Sequence, residues 1–392
     1  VNQLQDGWCK GASNLTKIKL SPKNNNFKLI NDKILLGKSN PKTELFDTLH
    51  FVCRKASKIT LPSYVKYIKP YSFSYCEYLE EITINEDSQL LKIGKKAFEE
   101  CPIERLFIPQ HFEMFEDGWC KNISELHTIT ISPGNKNFIF LDEKFLIGKS
   151  NPKTKIYDDL LFAVRDIKSA IIPSFVRFIS SYSFNLHSTL TSLVFSKDSK
   201  LISIGHDAFY GCSFEKVYIP KNVRNIDKYA FGGCSNLKEV EFDEDCEIES
   251  FTQDLFCDSA IEKINIPKNL VKLENGWNWS LSKLNNVLVS SKNKNFMNIN
   301  EKMIATKSDL NSDVFDTLCF GCRDIQKVIV PSNITSISSK AFEYCLHIEK
   351  VEFTKKSNLR IFQTYAFAVS SIKSIEIPSS VQFIGESVFL RC

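Results

Sequence analysis

Apolar residues along the chain recur in short runs separated by polar turns. The segment Leu61 to Asn85 shows the pattern in one copy, LPSYVKYIKPYSFSYCEYLEEITIN. Leu79, Ile82 and Ile84 alternate onto one face of a short strand, and Val65, Ile68 and Phe73 sit on a returning arc that faces them. Ordering about 23 residues costs roughly 1.5 kcal/mol each, whereas about eight apolar side chains return roughly 1.5 to 3 kcal/mol apiece. One unit therefore does not fold alone and has to stack on copies of itself. Fourteen strands of the form Leu/Ile-x-x-apolar-x-apolar begin between Leu15 and Ile372. At about 4.8 Å per strand they predict one parallel sheet roughly 60 to 70 Å long.

Every second strand ends in proline, at Pro62, Pro109, Pro173, Pro220, Pro267, Pro331 and Pro378. Proline has no ladder donor and marks where the chain turns away. The proline steps of 47, 64, 47, 47, 64 and 47 residues divide the chain into short and long double repeats. A shift of 111 residues places Gly7-Trp8-Cys9-Lys10 on Gly118-Trp119-Cys120-Lys121 and one GKSNPKT on another. A shift of 158 carries Trp119 to Trp277 and Phe138 to Phe296. The extra length of the long form predicts a protruding β-hairpin arm with a returning strand, near 24–53, 135–164 and 293–322. The segments around Ala97-Phe98, Ala208-Phe209, Ala230-Phe231 and Ala341-Phe342 leave room for a single turn of α or 3₁₀ helix.

Ile-Pro, Val-x-x-Ile, Ala-Phe-x-x-Cys and Leu-x-x-Ile-x-Ile in succession, clearest in KNVRNIDKYAFGGCSNLKEVEF from Lys221 to Phe242, resemble the BspA-like, or treponemal-type, leucine-rich repeats. The resemblance spans nearly the whole chain. It implies a mainly β, right-handed solenoid with a concave parallel sheet and short turns outside. It also implies surface-exposed proteins that adhere to host cells, matrix or other microbes. Residues 1–392 are then one solenoid of about 14 repeats plus a truncated repeat at the C-terminal end. The start at Val1 and the stop at Cys392 before a strand read as a piece of a longer protein, with end-to-end self-association expected of its uncapped ends.

Composition narrows the function. Net charge is +4 with acidic and basic residues interspersed, so no nucleic-acid footprint is present. No run of 18 apolar residues predicts a membrane span. The surplus of aromatics, 31 Phe against 3 Met, is explained by one repeated core position. Of the 13 Cys, Cys76, Cys101, Cys212, Cys234, Cys345 and Cys392 follow the repeated aromatic position by three residues, where a free thiol serves as a small apolar filler.

Three motifs with chemical potential reduce to structure. Cys319-x-x-Cys322 has His50 and Cys53, then Leu161 and Val164, at the same register, and no second metal-binding pair follows it. Gly37-Lys38-Ser39 and Gly148-Lys149-Ser150 lack the upstream glycine of a phosphate loop and read as hairpin turns. Trp8, Trp119 and Trp277 read as core plugs beside the arms. The six His form no recurrent pair with a nucleophile, so no enzyme, metal or cofactor is expected.

The informative surface is the set of strand side chains that alternate outward. Arg105, Phe107, Thr130, Ile171, Val194 and Tyr218 are the candidate partner-binding residues, an apolar file with a polar rim. Sequons at Asn14, Asn122, Asn278 and Asn333 are candidate N-glycosylation sites and point to a secretory route. The expected function is a non-catalytic adhesion module at the cell surface, or secreted, that engages a protein or glycan through its concave face. The alternative is an intracellular interaction scaffold.

Overall fold

The structure, a computed structural model, describes residues 3–392. The fold is a mainly β solenoid of stacked parallel coils. It divides into two compact units, one of residues 1–168 and 175–189, the other of residues 169–174 and 190–392.

In the first unit, Lys58–Thr60 pairs in parallel with Glu81–Thr83, and Arg105–Ile108 with Thr128–Ile131. In the second, Ser169–Ile172 pairs with Ser192–Phe195, and Lys216–Ile219, Glu239–Phe242, Lys263–Ile266 and Asn286–Val289 form a four-stranded sheet. Lys327–Val330 pairs with Lys350–Phe353. Alternation along these strands is as the pattern requires: in Ser169–Ile172, Ala170 and Ile172 are buried and Ser169 and Ile171 exposed.

Two of the fourteen predicted strands are absent. The chain after Leu15 forms no strand, and that after Ile372 makes only one bridge, Ile375 to Val351. The expected continuous sheet is instead a series of smaller ones. The arc from Val65 to Ile68 also differs from expectation, because it carries a second parallel ladder of two-residue strands. In the first unit this runs Thr48–Val52, Tyr67–Ile68, Lys92–Ile93, Met114–Phe115.

The single helical turns expected around Ala97-Phe98 and its equivalents do not form, and no helix occurs among the described residues. Lys96 and Glu100 adopt φ of 52° and 57°, in the left-handed region. These flips aim the Phe98 and Glu100 N–H groups at Trp119 and Lys121 carbonyls, 3.1 and 3.2 Å away in the next coil. Phe73 and Tyr75 donate in the same way to Ala97 and Glu99. Donors spent between coils are lost to an intrahelical ladder, and the hydrogen bonds offset the strain of left-handed residues.

Behind these turns the repeated Phe side chains stack from coil to coil. Phe73 and Phe98 lie 4.9 Å apart, Phe209 and Phe231 5.4 Å, Phe342 and Phe367 4.9 Å. The filler thiols of Cys76, Cys101, Cys212, Cys234 and Cys345 are buried beside them, whereas Cys392 is exposed. Burial pushes Cys76 up to about 11 and Cys234 up to about 12, so both remain neutral thiols.

The long repeats share one construction. Phe27–Ile30 pairs antiparallel with Ile34–Gly37, which pairs antiparallel with Thr48–Val52. Asn31 and Asp32, both at positive φ, make the tight turn, as do Asp142-Glu143 and Asn300-Glu301 in the other copies. The arm's inner strands are buried along their length, because Thr48–Val52 continues directly into the parallel ladder. Each copy has one bulge, which leaves His50, Leu161 or Cys319 unpaired opposite the middle strand.

Candidate functional site

The outward strand residues fall in both units. In the first, Arg105 lies beside Thr128 and Phe107 beside Thr130. Arg105 and Thr130 are exposed, but Phe107 is half-buried and packs against the core. It is therefore a weaker contact residue than the pattern predicted.

In the second unit the apolar file is open to solvent. Ile171 and Val194 sit side by side in register, 65% and 49% exposed. Tyr218 holds the same place in Lys216–Ile219 and is 45% exposed. Its hydroxyl donates to Asp243 Oδ2 at 2.5 Å, and burial of the ring edge together with this bond raises its pKa. Glu241 stands next to Tyr218, and Leu288, exposed, continues the row beside Asn265. Alongside runs a charged row in which Glu239 bridges Lys216 and Lys263 at 2.7 and 2.6 Å. The result is a row of exposed apolar groups edged by a row of paired charges.

The remaining motifs take structural places. Ser39 donates its N–H and Oγ–H to Asp47 at 2.8 and 2.7 Å, and Ser150 with Asp158 and Ser308 with Asp316 repeat the clasp. The preceding lysines lie over Phe46, Tyr157 and Phe315 at 5.0 to 5.2 Å. The Gly-Lys-Ser sequence is thus a side-chain clasp that closes the arm. Cys319 and Cys322 are buried thiols pushed up to about 12 and about 11 by desolvation, and Cys319 donates to the Ile304 carbonyl. Trp119 and Trp277 are buried, but Trp8 is 37% exposed and only partly a plug.

Of the four sequons, Asn14 and Asn333 are exposed. Asn122 is half-buried, with its amide on Glu100. Asn278 is buried and donates to the Lys340 carbonyl at 3.2 Å. A glycan on Asn278 would require expelling that side chain from the fold, so this candidate is withdrawn.

Sequence reasoning missed three buried arginines. Arg54, Arg165 and Arg323 follow the last arm strand in each copy, with guanidinium carbons 4.4, 4.3 and 4.8 Å from the rings of Phe51, Phe162 and Phe320. Arg165 donates to the carbonyls of Ile123, Ala163, Ser183 and Tyr182. These groups tie the arms to the coils by hydrogen bonds to several carbonyls at once, some of which, such as those of Ser183 and Tyr182, also accept a backbone N–H. Their register, 111 and 158 residues apart, was the available signal.

No group of three His, Cys, Asp or Glu side chains suited to a metal occurs among the described residues. No helix among them is long and apolar enough to cross a membrane.

Stacked parallel coils with a one-sided apolar strand and short returning arcs define a repeat protein of the leucine-rich type. The chain belongs to the BspA-type leucine-rich-repeat family, whose sequence profile matches residues 44–142, 154–285 and 289–392. A leucine-rich cell surface protein from Faecalibacterium prausnitzii shares the fold at 17% identity and a TM-score of 0.51, covering 93% of this chain and 78% of that one. The pneumococcal vaccine antigen PcpA aligns at 16% identity and a TM-score of 0.49 over 93% of this chain and 79% of its own. A leucine-rich repeat protein from Bacteroides ovatus aligns at 17% identity and 0.46, over 88% and 80%. No curated protein matches the sequence.

Proposed function

We propose that the chain is a non-catalytic binding module displayed at a cell surface, which engages a protein or glycan on host cells, matrix or other microbes. The observation that carries this reading is the exposed row of Ile171 and Val194, paired in one parallel sheet, and Tyr218 at the corresponding place on the first strand of the next, edged by ion-paired charges. Neighbouring coils fix the row before binding, so little ordering cost opposes association. Family membership supports a binding role, and the Faecalibacterium neighbour is described as a cell surface protein. The row is taken as the concave face of its own coils in the second unit, and Arg105, Phe107 and Thr130 as the corresponding strand face of the first. Asn14, Asn122 and Asn333 are its proposed glycosylation sites.

A double variant, Val194→Glu with Tyr218→Glu, tests the surface. Labelled wild-type chain is expected to coat cultured epithelial cells and the variant to lose at least about tenfold in half-saturating concentration, with circular dichroism unchanged. Equal coating by the folded variant would refute the strand-face site. The intracellular scaffold is favoured by one observation, that no disulfide joins any cysteines among the described residues. Protease accessibility on intact cells separates the two, since a scaffold inside the cell is not cleaved.

A further inference from the structure

The first arm differs from its two copies at one place. The bulge in Thr48–Val52 leaves His50 unpaired and turns its side chain over Gly37, where a Cβ would lie 2.6 Å from His50 Nε2. In the second copy Leu161 lies over Gly148 in the same manner. In the third the bulged residue is the smaller Cys319, and Thr306 stands in place of the glycine. The bulge is thus a common device that presents one side chain, and only the first copy presents a polar ring.

His50 borders a cavity of about 650 Å³ in the first unit. The imidazole is 8% exposed, meets Phe27 edge-on at 5.6 Å, and has no hydrogen-bond partner among the described residues. A ring at the cavity wall with no protein partner leaves its nitrogens to solvent or to a ligand that enters the cavity. Around it stand two ion pairs, Lys69 with Asp6 at 3.1 Å and Lys92 with Glu116 at 2.5 Å, and the ring of Tyr67. At the register of Tyr67, Lys69 and Lys92 the second copy has Phe178, Ser180 and Ser203, and the third Ser336, Ser338 and Ile361. The arm's clasp residues persist in all three copies while these positions differ.

The charges select the ligand. The three ammonium groups of the lining, on Lys38, Lys69 and Lys92, each already have a carboxylate, in Glu44, Asp6 and Glu116, so none is left unpaired for an anion. Desolvation, with Lys69 nearby, lowers the His50 pKa to about 4, which leaves the ring neutral at physiological pH. Each ion pair presents a donor beside an acceptor at close spacing, which matches two neighbouring hydroxyls of a pyranose ring. Tyr67, half-buried at the cavity wall, supplies an apolar face for ring C–H groups. The volume lies within the range of small-ligand sites.

We propose that this cavity binds a neutral disaccharide, with the Lys69–Asp6 and Lys92–Glu116 pairs holding its hydroxyls and His50 completing the contact. The site stands apart from the strand face of the second unit, and its failure leaves that surface untouched. Saturation-transfer NMR of the full chain with lactose, maltose, cellobiose and sucrose, each at millimolar concentration, tests it. Transfer is expected from at least one sugar. His50→Leu with Lys69→Ser installs the second copy's residues, so the fold is kept, and should weaken that sugar by at least about tenfold. A thermal melt of the variant checks the fold. Absence of transfer from all four sugars overturns the proposal, as does transfer that survives in the folded double variant. Tighter binding of sialyllactose than of lactose would overturn the selection for a neutral ligand.

Discussion

Replacement of Trp119 by alanine probes the joint between coil stack and arm. The indole is 2% exposed and lies against Phe115 at 4.3 Å, Phe162 at 5.6 Å and Phe98 at 6.3 Å. Phe162 belongs to the arm's last strand and Phe98 to the coil stack, so the ring joins the two. Truncating a fully buried Trp costs about 3 to 5 kcal/mol through lost transfer energy and the cavity left behind. Its Nε1–H is buried without a partner, a penalty that Trp119→Phe removes. That variant should therefore cost no more than about 2 kcal/mol despite the smaller ring. Trp8 provides the internal control. At 37% exposure, with Phe51 as its aromatic neighbour at 5.7 Å, its alanine variant should lose only about 1 kcal/mol. Urea unfolding followed by circular dichroism measures all three as midpoint shifts at constant slope. In a melt the Trp119→Ala loss corresponds to about 6 to 20 °C for a unit of this size. A Trp119→Ala loss below about 1 kcal/mol, or an equal loss at Trp8, would refute the reasoning.

Burial, with Asp158 and Asp117 adding to it, raises the Asp159 pKa to about 6. The folded chain thus holds a proton that the unfolded chain releases, so this contribution is complete below about pH 4 and is lost as the pH rises through about 6. Thr48 and Thr317 occupy the same register, and Asp159→Thr should stabilise by about 2 to 3 kcal/mol at pH 8 with no gain at pH 3.5; equal gains in melts at both values would refute the assignment. His187 shows the opposite sign: burial lowers its pKa to about 4, so its contribution is present above about pH 6.5 and lost as the pH falls through about 4. His187→Gln should flatten the acid limb of a melt series, and an unchanged limb counts against that role. Arg165→Met removes four buried hydrogen bonds to carbonyls and should cost at least about 3 kcal/mol by urea unfolding, whereas Lys168→Met on the exposed surface should cost under about 0.5 kcal/mol. Of the thirteen thiols, Cys392 should react first with a thiol reagent on the native chain, and Cys101 and Cys234 only after denaturant is added. Rapid native labelling of the latter two would contradict their place in the core.

The repeat register made the arms legible, because shifts of 111 and then 158 residues preserve each tight turn, clasp and buried aromatic. The ladder along the arc was not legible for a physical reason. A two-residue strand such as Tyr67–Ile68 has no alternation to read, and its partner lies 25 residues away in Lys92–Ile93. The between-coil hydrogen bonds were hidden likewise, since Lys96 and Glu100 are ordinary helix formers whose left-handed geometry is imposed by the neighbouring coil. The arginines and the bulge were missed differently, for their signals lay in the sequence. Arg54, Arg165 and Arg323 recur three residues after Phe51, Phe162 and Phe320, yet a charged residue is by default assigned to the surface. Burial is tolerated here because a guanidinium satisfies several carbonyls at once while its face rests on a ring. At the bulge, His50, Leu161 and Cys319 differ while their flanking leucines and phenylalanines persist, and residue size varies inversely with Gly37, Gly148 and Thr306 across the sheet. In a repeat protein the invariant polar positions therefore mark the scaffold. The positions that diverge in compensating pairs mark where the scaffold presents something different in each copy, and His50 is the copy in which that something is polar.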